Sequence, residues 1–220
     1  MTLPFAEIEY RDRARRVRVE MARRDVDVLF VMSPPNLTYL TGFESIWYPP
    51  RAPVGVVISR HDEQVVFCDY ERHENHVRNL ALFDDAVFYR YDNAVSAIAE
   101  AFAARGWAAG SVGIEWWTIS PGAPIVRAVA ERIERAGARI VDGDWIVDRV
   151  RAVKSPFELE RVRRAATIAD AAFEALLEEI RPGLSELQVA GRLDALMAER
   201  GGEAPAVRTM VSAGDRKSVV

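Results

Sequence analysis

Val28-Leu29-Phe30-Val31-Met32 is an unbroken apolar run, closed at once by Ser33-Pro34-Pro35. It is too short for an ordinary helix and lacks the polar alternation of a strand with one wet face. It therefore predicts a strand buried on both faces, which requires a packed layer on either side. The surrounding sequence supplies candidates for those layers. Tyr10, Ala14, Val17 and Met21 recur at three- and four-residue steps and predict a helix over 7–24 with arginines on its other face. Ser33 and Pro34 suit a helix start, and Leu37 to Leu40 a short helix closed by Gly42. Val54 to Ile58 and Gln64 to Cys68 read as strands joined by a hairpin loop over 59–63.

The alternation continues. Helices are expected over 70–80, 94–105, 121–136 and 144–151, and strands over 87–89, 112–115 and 139–141; Gly106 and Gly137 stop two of the helices. Strands alternating with helices give an α/β fold, and the hairpin makes its sheet mixed. The pattern changes at Val153-Lys154-Ser155-Pro156. Ser155 is an N-cap, Pro156 takes the first helical position and Glu158 completes a capping box. A helix to about Glu179 follows, with an apolar stripe of Phe157, Val162, Ala169, Ala172, Phe173, Leu176 and Ile180. Pro182-Gly183 breaks it, and Ser185 with Gln188 starts a second helix in which Leu187, Leu193 and Leu196 are expected to face inward. Met210-Val211 is expected to open a strand. The expected division is 1–150 and 151–220, the second part too short to close a core of its own.

Half of the 220 residues are hydrophobic and the net charge is −4, with no basic block, so nucleic acid is not an expected partner. No apolar stretch approaches the roughly 20 residues of a membrane helix, and no secretory signal opens the chain. The single cysteine, Cys68, lies in an apolar run and reads as a buried thiol. These features together lead to an expected cytoplasmic location.

Three stretches resemble the creatinase/prolidase/aminopeptidase-P family. The first is Asp25 to Val31 followed by Pro35-Asn36-Leu37-Thr38-Tyr39-Leu40-Thr41-Gly42-Phe43. The second, Arg151 to Leu159, is similar to the family's junction between domains. The third is Ile180 to Glu186 with Ala190, Met197, Gly201 and Met210-Val211, similar to the first two helices of the family's pita-bread domain. The resemblance runs from Glu9 to about Gly214. It implies a creatinase/prolidase-like N-terminal domain, then an incomplete α+β catalytic domain.

The resemblance also implies a chemistry: hydrolysis of a C–N bond in a small peptide or amino-acid-derived substrate, an Xaa-Pro bond in many relatives. Peptidase members hold two divalent metal ions (Mn, Co or Zn) on two Asp, one His and two Glu, which activate water; creatinase-like branches use a His base without metal. Those residues lie on later strands. The histidines here, His61, His73 and His76, all precede the junction. No catalytic residue and no metal ligand is therefore assigned, and the chain alone is expected to be inactive. A homodimer through the N-terminal domain is expected. A creatine- or ectoine-type substrate, or a non-catalytic binding module, remain alternatives.

Trp47-Tyr48-Pro49-Pro50-Arg51 is similar to a creatinase-branch loop that reaches a neighbouring active site. Trp47, Tyr48 and Arg51 are the substrate-binding candidates, since a cation and aromatic rings on a proline-stiffened loop suit a carboxylate. Packing at a dimer interface is the competing reading. His73 and His76 with Glu74 could present two imidazoles on one helix face, but a solvated helix with ion pairs explains them as well. Trp116-Trp117 read as core or inter-domain contacts. Of 29 basic residues only Lys154 and Lys217 are lysine. The tail Asp215-Arg216-Lys217-Ser218-Val219-Val220 coincides with a translated sequencing-adapter read-through, so native sequence is expected to end near Gly214.

Overall fold

The computed structural model describes residues 3–45, 48 and 51–214. Two compact units divide between Val153 and Lys154. The first holds six strands: β1 (Val28–Val31), β2 (Gly55–Ser59), β3 (Val65–Tyr70), β4 (Asp85–Tyr89), β5 (Ser111–Ile114) and β6 (Arg139–Asp142). They form one sheet in the order β4-β3-β2-β1-β5-β6. β2 runs antiparallel to both β1 and β3, with Val31 opposite Val56 and Gly55 opposite Cys68. The β1–β5, β3–β4 and β5–β6 pairs are parallel. Only β2 is reversed, so the sheet is mixed, as the hairpin requires.

Alternation along β1 sends its side chains into two cores. Phe30 and Met32 join Ile98 and Phe102 of α4 (Ala94–Ala104) and Val126, Val129 and Ile133 of α5 (Ala123–Arg135). Leu29 and Val31 join Val17 and Met21 of α1 (Glu7–Arg23), Leu37 and Leu40 of α2 (Pro34–Thr41), and Ile146 and Val147 of α6 (Ile146–Ala152). All four β1 residues are buried, so the strand is sandwiched between helical layers. At roughly 1.5–3 kcal/mol for each large apolar side chain buried, these two layers carry the unit. Gly42 closes α2 at φ +75°, and a Cβ there would stand 2.8 Å from the Tyr10 hydroxyl. Both the backbone turn and the space exclude a larger residue.

The helix expected over 70–80 divides into a 3₁₀ turn at Glu71–His73 and α3 (Glu74–Leu80). Cys68 is buried in the α4–α5 core, which pushes its thiol up to about 12 and leaves it inert as a nucleophile.

The second unit contains α7 (Pro156–Glu179) and α8 (Glu186–Glu199), each opened by a complete capping box, at Ser155/Glu158 and Ser185/Gln188. Arg192 on α8 donates through Nη2 to Glu179 Oε1 at 2.8 Å, tying the helix ends. Among the described residues, Ala172, Leu176 and Leu196 form its buried cluster. Phe157, Val162, Phe173 and Ile180 of the expected stripe are exposed, as is Leu187 of α8. The strand expected at Met210-Val211 does not form. No other strand lies in the described part of this unit to pair with it, and the segment is held to α8 by Ala213 N–H donating to Glu186 Oε1 at 3.0 Å.

Candidate functional site

Strand direction gathers the chemistry at one end of the sheet. β1, β3, β4, β5 and β6 all finish there, and β2 enters from it. In α/β sheets this carboxyl end is where ligands bind. Its loops carry Ser33 to Pro35, Asp69 to His73, Tyr91 to Asn93 and Glu115 to Ile119, together with Arg51.

One of two buried carboxylates at this end is Glu115, just beyond β5. Its Oε2 accepts the backbone N–H groups of Met32 (2.8 Å) and Ser33 (2.7 Å), and Oε1 accepts Asn36 Nδ2 at 2.7 Å. Asn36 Nδ2 also reaches Asp148 Oδ2 at 3.0 Å, while Asn36 Oδ1 accepts Arg151 Nη1 at 2.7 Å. Glu115 thus satisfies the two backbone donors just before α2, and Asn36 links that position to α6. Burial pushes the Glu115 carboxyl up to about 7, against the three donors that favour its ionised form and with the Asp148 charge adding to the rise.

Beside this network, Ser33, Pro34, Pro35 and the loop Trp116-Trp117-Thr118-Ile119 line an apolar cleft of about 350 Å³. Of the two roles expected for Trp116 and Trp117, core or inter-domain contact, the core role does not form within the first unit, since Trp117 is 78% exposed. Both tryptophan N–H groups of the main chain donate to Asp144 Oδ1, at 2.8 and 2.9 Å, which turns the loop outward at the end of β5.

At the end of β3, Asp69 is fully buried and His73 Nδ1 lies 3.1 Å from its Oδ1. Burial raises the Asp69 pKa; the Tyr70 backbone N–H and His73 oppose the rise. His76 stacks edge-on against Phe43 at 5.5 Å. Glu74 pairs with Arg78 at 2.8 Å, the i,i+4 ion pair of a solvated helix. Among the described residues, no group of three or more His, Cys, Asp or Glu side chains is placed to hold a metal ion.

Of the three substrate-binding candidates, Trp47 lies outside the described residues. Tyr48 is half-buried, its ring 6.3 Å from Phe43 on the α2 side of the sheet. Arg51 is exposed and lines an opening with Tyr91, the first turn of α4, and Arg132. Tyr48 and Arg51 therefore engage different neighbours. Sequence reasoning did not single out Glu115, Asn36, Asp148 and Arg151 as a group. The available signal was an acid directly after the apolar strand at Val112 to Ile114.

A mixed sheet of this order, followed by two capped helices, defines the class. The chain belongs to the creatinase/prolidase family: residues 13–153 match the creatinase/prolidase N-terminal domain, and residues 160–220 match metallopeptidase family M24. It is 28% identical to the ectoine hydrolase of Halomonas elongata over 97% of this chain and 57% of that protein. It is 36% identical to the Xaa-Pro dipeptidase of Pyrococcus furiosus over 34% of this chain and 22% of that one. The Xaa-Pro dipeptidase structure from Bacillus anthracis superposes with a TM-score of 0.68 at 23% identity, covering 89% of this chain and 50% of that one. The fold is thus shared with prolidases of the pita-bread class. The chain spans about half the length, 50% to 57%, of the curated relatives that align along most of it.

Proposed function

We propose that this chain is the N-terminal part of a metal-dependent hydrolase of C–N bonds of the Xaa-Pro peptidase type. The carrying observation is the order of two matches on one polypeptide, an N-terminal domain at 13–153 and the opening of metallopeptidase family M24 at 160–220. The described residues do not supply a metal site, so the two divalent ions of such an enzyme would be held by residues outside them. The first unit would support a homodimer and shape the substrate entrance, with Trp47, Tyr48 and Arg51 as substrate contacts. The exposed apolar face of α7, with Phe157, Val162 and Phe173, fits a unit that further chain would cover. No helix among the described residues is long and apolar enough to cross a membrane, which is consistent with the cytoplasmic setting proposed.

An ectoine-hydrolase-like activity is the second reading, favoured by the alignment over 97% of this chain. The test is to recover the reading frame downstream of Gly214, express the longer protein and assay an Xaa-Pro dipeptide and ectoine with and without a chelator. Chelator-sensitive cleavage of the dipeptide is expected from the longer protein and none from the 220-residue chain. Cleavage of ectoine alone would select the second reading. Metal-dependent dipeptide cleavage by the 220-residue chain itself, with contaminating hydrolases excluded, would overturn the proposal.

A further inference from the structure

Most arginines of the first unit are spent on a partner: Arg11 on Asp84, Arg78 on Glu74, Arg105 on Asp85 and Arg60 on Asp27. Arg51 and Arg132 are not. Among the described residues neither guanidinium makes an ion pair or donates a hydrogen bond, yet both line the same opening of about 460 Å³. Arg51 comes from the loop ahead of β2, and Arg132 from the last turn of α5. Tyr91, Asn93, Ser96 and Ile125 complete much of the wall. Two unpaired cations that line one opening from separate elements gain most from an anion shared between them.

The rest of the lining agrees with that sign of charge. One carboxylate, Asp92, borders the opening, and Arg90 Nε holds its Oδ1 at 3.3 Å. The Asn93 side chain does not cap α4; its Oδ1 accepts the Arg90 N–H at 2.9 Å instead. The first turn of α4 carries no acidic residue, and Asp92 is the one carboxylate among the described residues that line the opening.

We infer that the Arg51–Arg132 opening is a binding site for a small oxyanion, a carboxylate or a phosphate. It is built wholly within the first unit and does not depend on the hydrolase reading. Arg51 is then paired with Arg132, while the Tyr48 ring packs on the α2 side of the sheet.

The test is equilibrium dialysis of the full chain against labelled inorganic phosphate at constant ionic strength. It is repeated with Arg51→Gln, Arg132→Gln and, as a control elsewhere on α5, Arg127→Gln. Both arginines are exposed, so the variants should keep the wild-type circular dichroism spectrum. Saturable one-to-one binding is expected, weakened about tenfold or more by Arg51→Gln and by Arg132→Gln and unchanged by Arg127→Gln. Competition then distinguishes the sources. Displacement of phosphate by Ala-Pro but not by its C-terminal amide supports a peptide carboxylate as the ligand. Displacement by neither supports a phosphate-bearing ligand. Binding that does not saturate, or that survives both substitutions, would overturn the site and leave an adventitious ion only.

Discussion

Two carboxylates sit at opposite ends of the β1–β5 seam, and the same sheet treats them in opposite ways. Asp27, just before β1, accepts the Ser111 backbone N–H and the Ser111 hydroxyl, each at 2.9 Å on Oδ2, while Oδ1 takes Arg60 and lies 3.2 Å from His61 Nε2. Those donors, the Ser111 backbone N–H first among them, hold it down to about 2. Glu115, at the other end, has three donors of its own, but its burial outweighs them and pushes it up to about 7. Donor count alone does not set the charge state. What separates the two is access to water: the Asp27 side chain keeps 24% of its exposure and has a cation in contact, while Glu115 is almost wholly enclosed with Asp148 nearby. The first arrangement is a fixed ionic tie. The second is a buried acid that can change charge near neutrality, at the end of the sheet where ligand sites form.

The largest test of this contrast is truncation. Glu115→Ala removes the acceptor of the Met32 and Ser33 N–H groups and of Asn36 in a buried place, so about 3 kcal/mol of stability should be lost. Asp27→Ala should cost about 1–2 kcal/mol, because water can reach the donors it leaves. Urea denaturation of the two variants measures both. Equal losses would remove burial as the distinguishing cause.

The pH dependence should have opposite signs. Asp27 is depressed in the folded state, so its contribution is complete above about pH 4 and is lost as pH falls through about 2, up to about 2 kcal/mol. Glu115 is raised, so the folded state binds the extra proton between about 4.5 and 7, and stability falls as pH rises through that window, by up to about 3 kcal/mol. Asn36 faces Glu115 and is itself held by Asp148 and Arg151, and Asp69, also raised by burial, contributes a slope of the same sign. The difference between wild type and Glu115→Gln isolates the Glu115 part. A wild-type profile parallel to that of Glu115→Gln from about pH 4.5 to 7 would refute the raised acid.

Much of the first unit was legible because one physical rule dominated each segment. The apolar run at Val28 to Met32 could only be a doubly buried strand, and the Pro and Gly positions fixed the ends of α2. The capping boxes at Ser155 and Ser185 announced α7 and α8 without any tertiary information. The Glu115 network was not legible, since Met32, Asn36, Glu115 and Arg151 are far apart in sequence and meet only when β1 pairs with β5. Of the two roles expected for Trp116 and Trp117, core burial is the one that failed, because Asp144 fixes their backbone in an outward loop. Met210-Val211 has strand-like residues without a strand to pair with, and local propensity cannot supply one.

The finest test concerns which Ser111 group governs Asp27. Ser111→Ala deletes the hydroxyl, whose single proton has Asp27 Oδ2 at 2.9 Å and the Asp25 carbonyl at 2.8 Å within reach, but it keeps the Ser111 N–H. The Asp27 N–H loses one acceptor and retains the Ser111 carbonyl at 3.1 Å, so no buried donor is stranded. The cost should be about 1 kcal/mol, the net worth of an ordinary hydrogen bond. Because the backbone donor is the larger cause of the depressed pKa, most of the depression should survive, and the stability loss in acid should stay close to its wild-type position. Carboxyl-carbon NMR titration of Asp27 reads this directly. A return of Asp27 to the ordinary aspartate range in Ser111→Ala would show that the hydroxyl dominates, and that the contrast with Glu115 rests on one side chain instead of on the β1–β5 backbone seam.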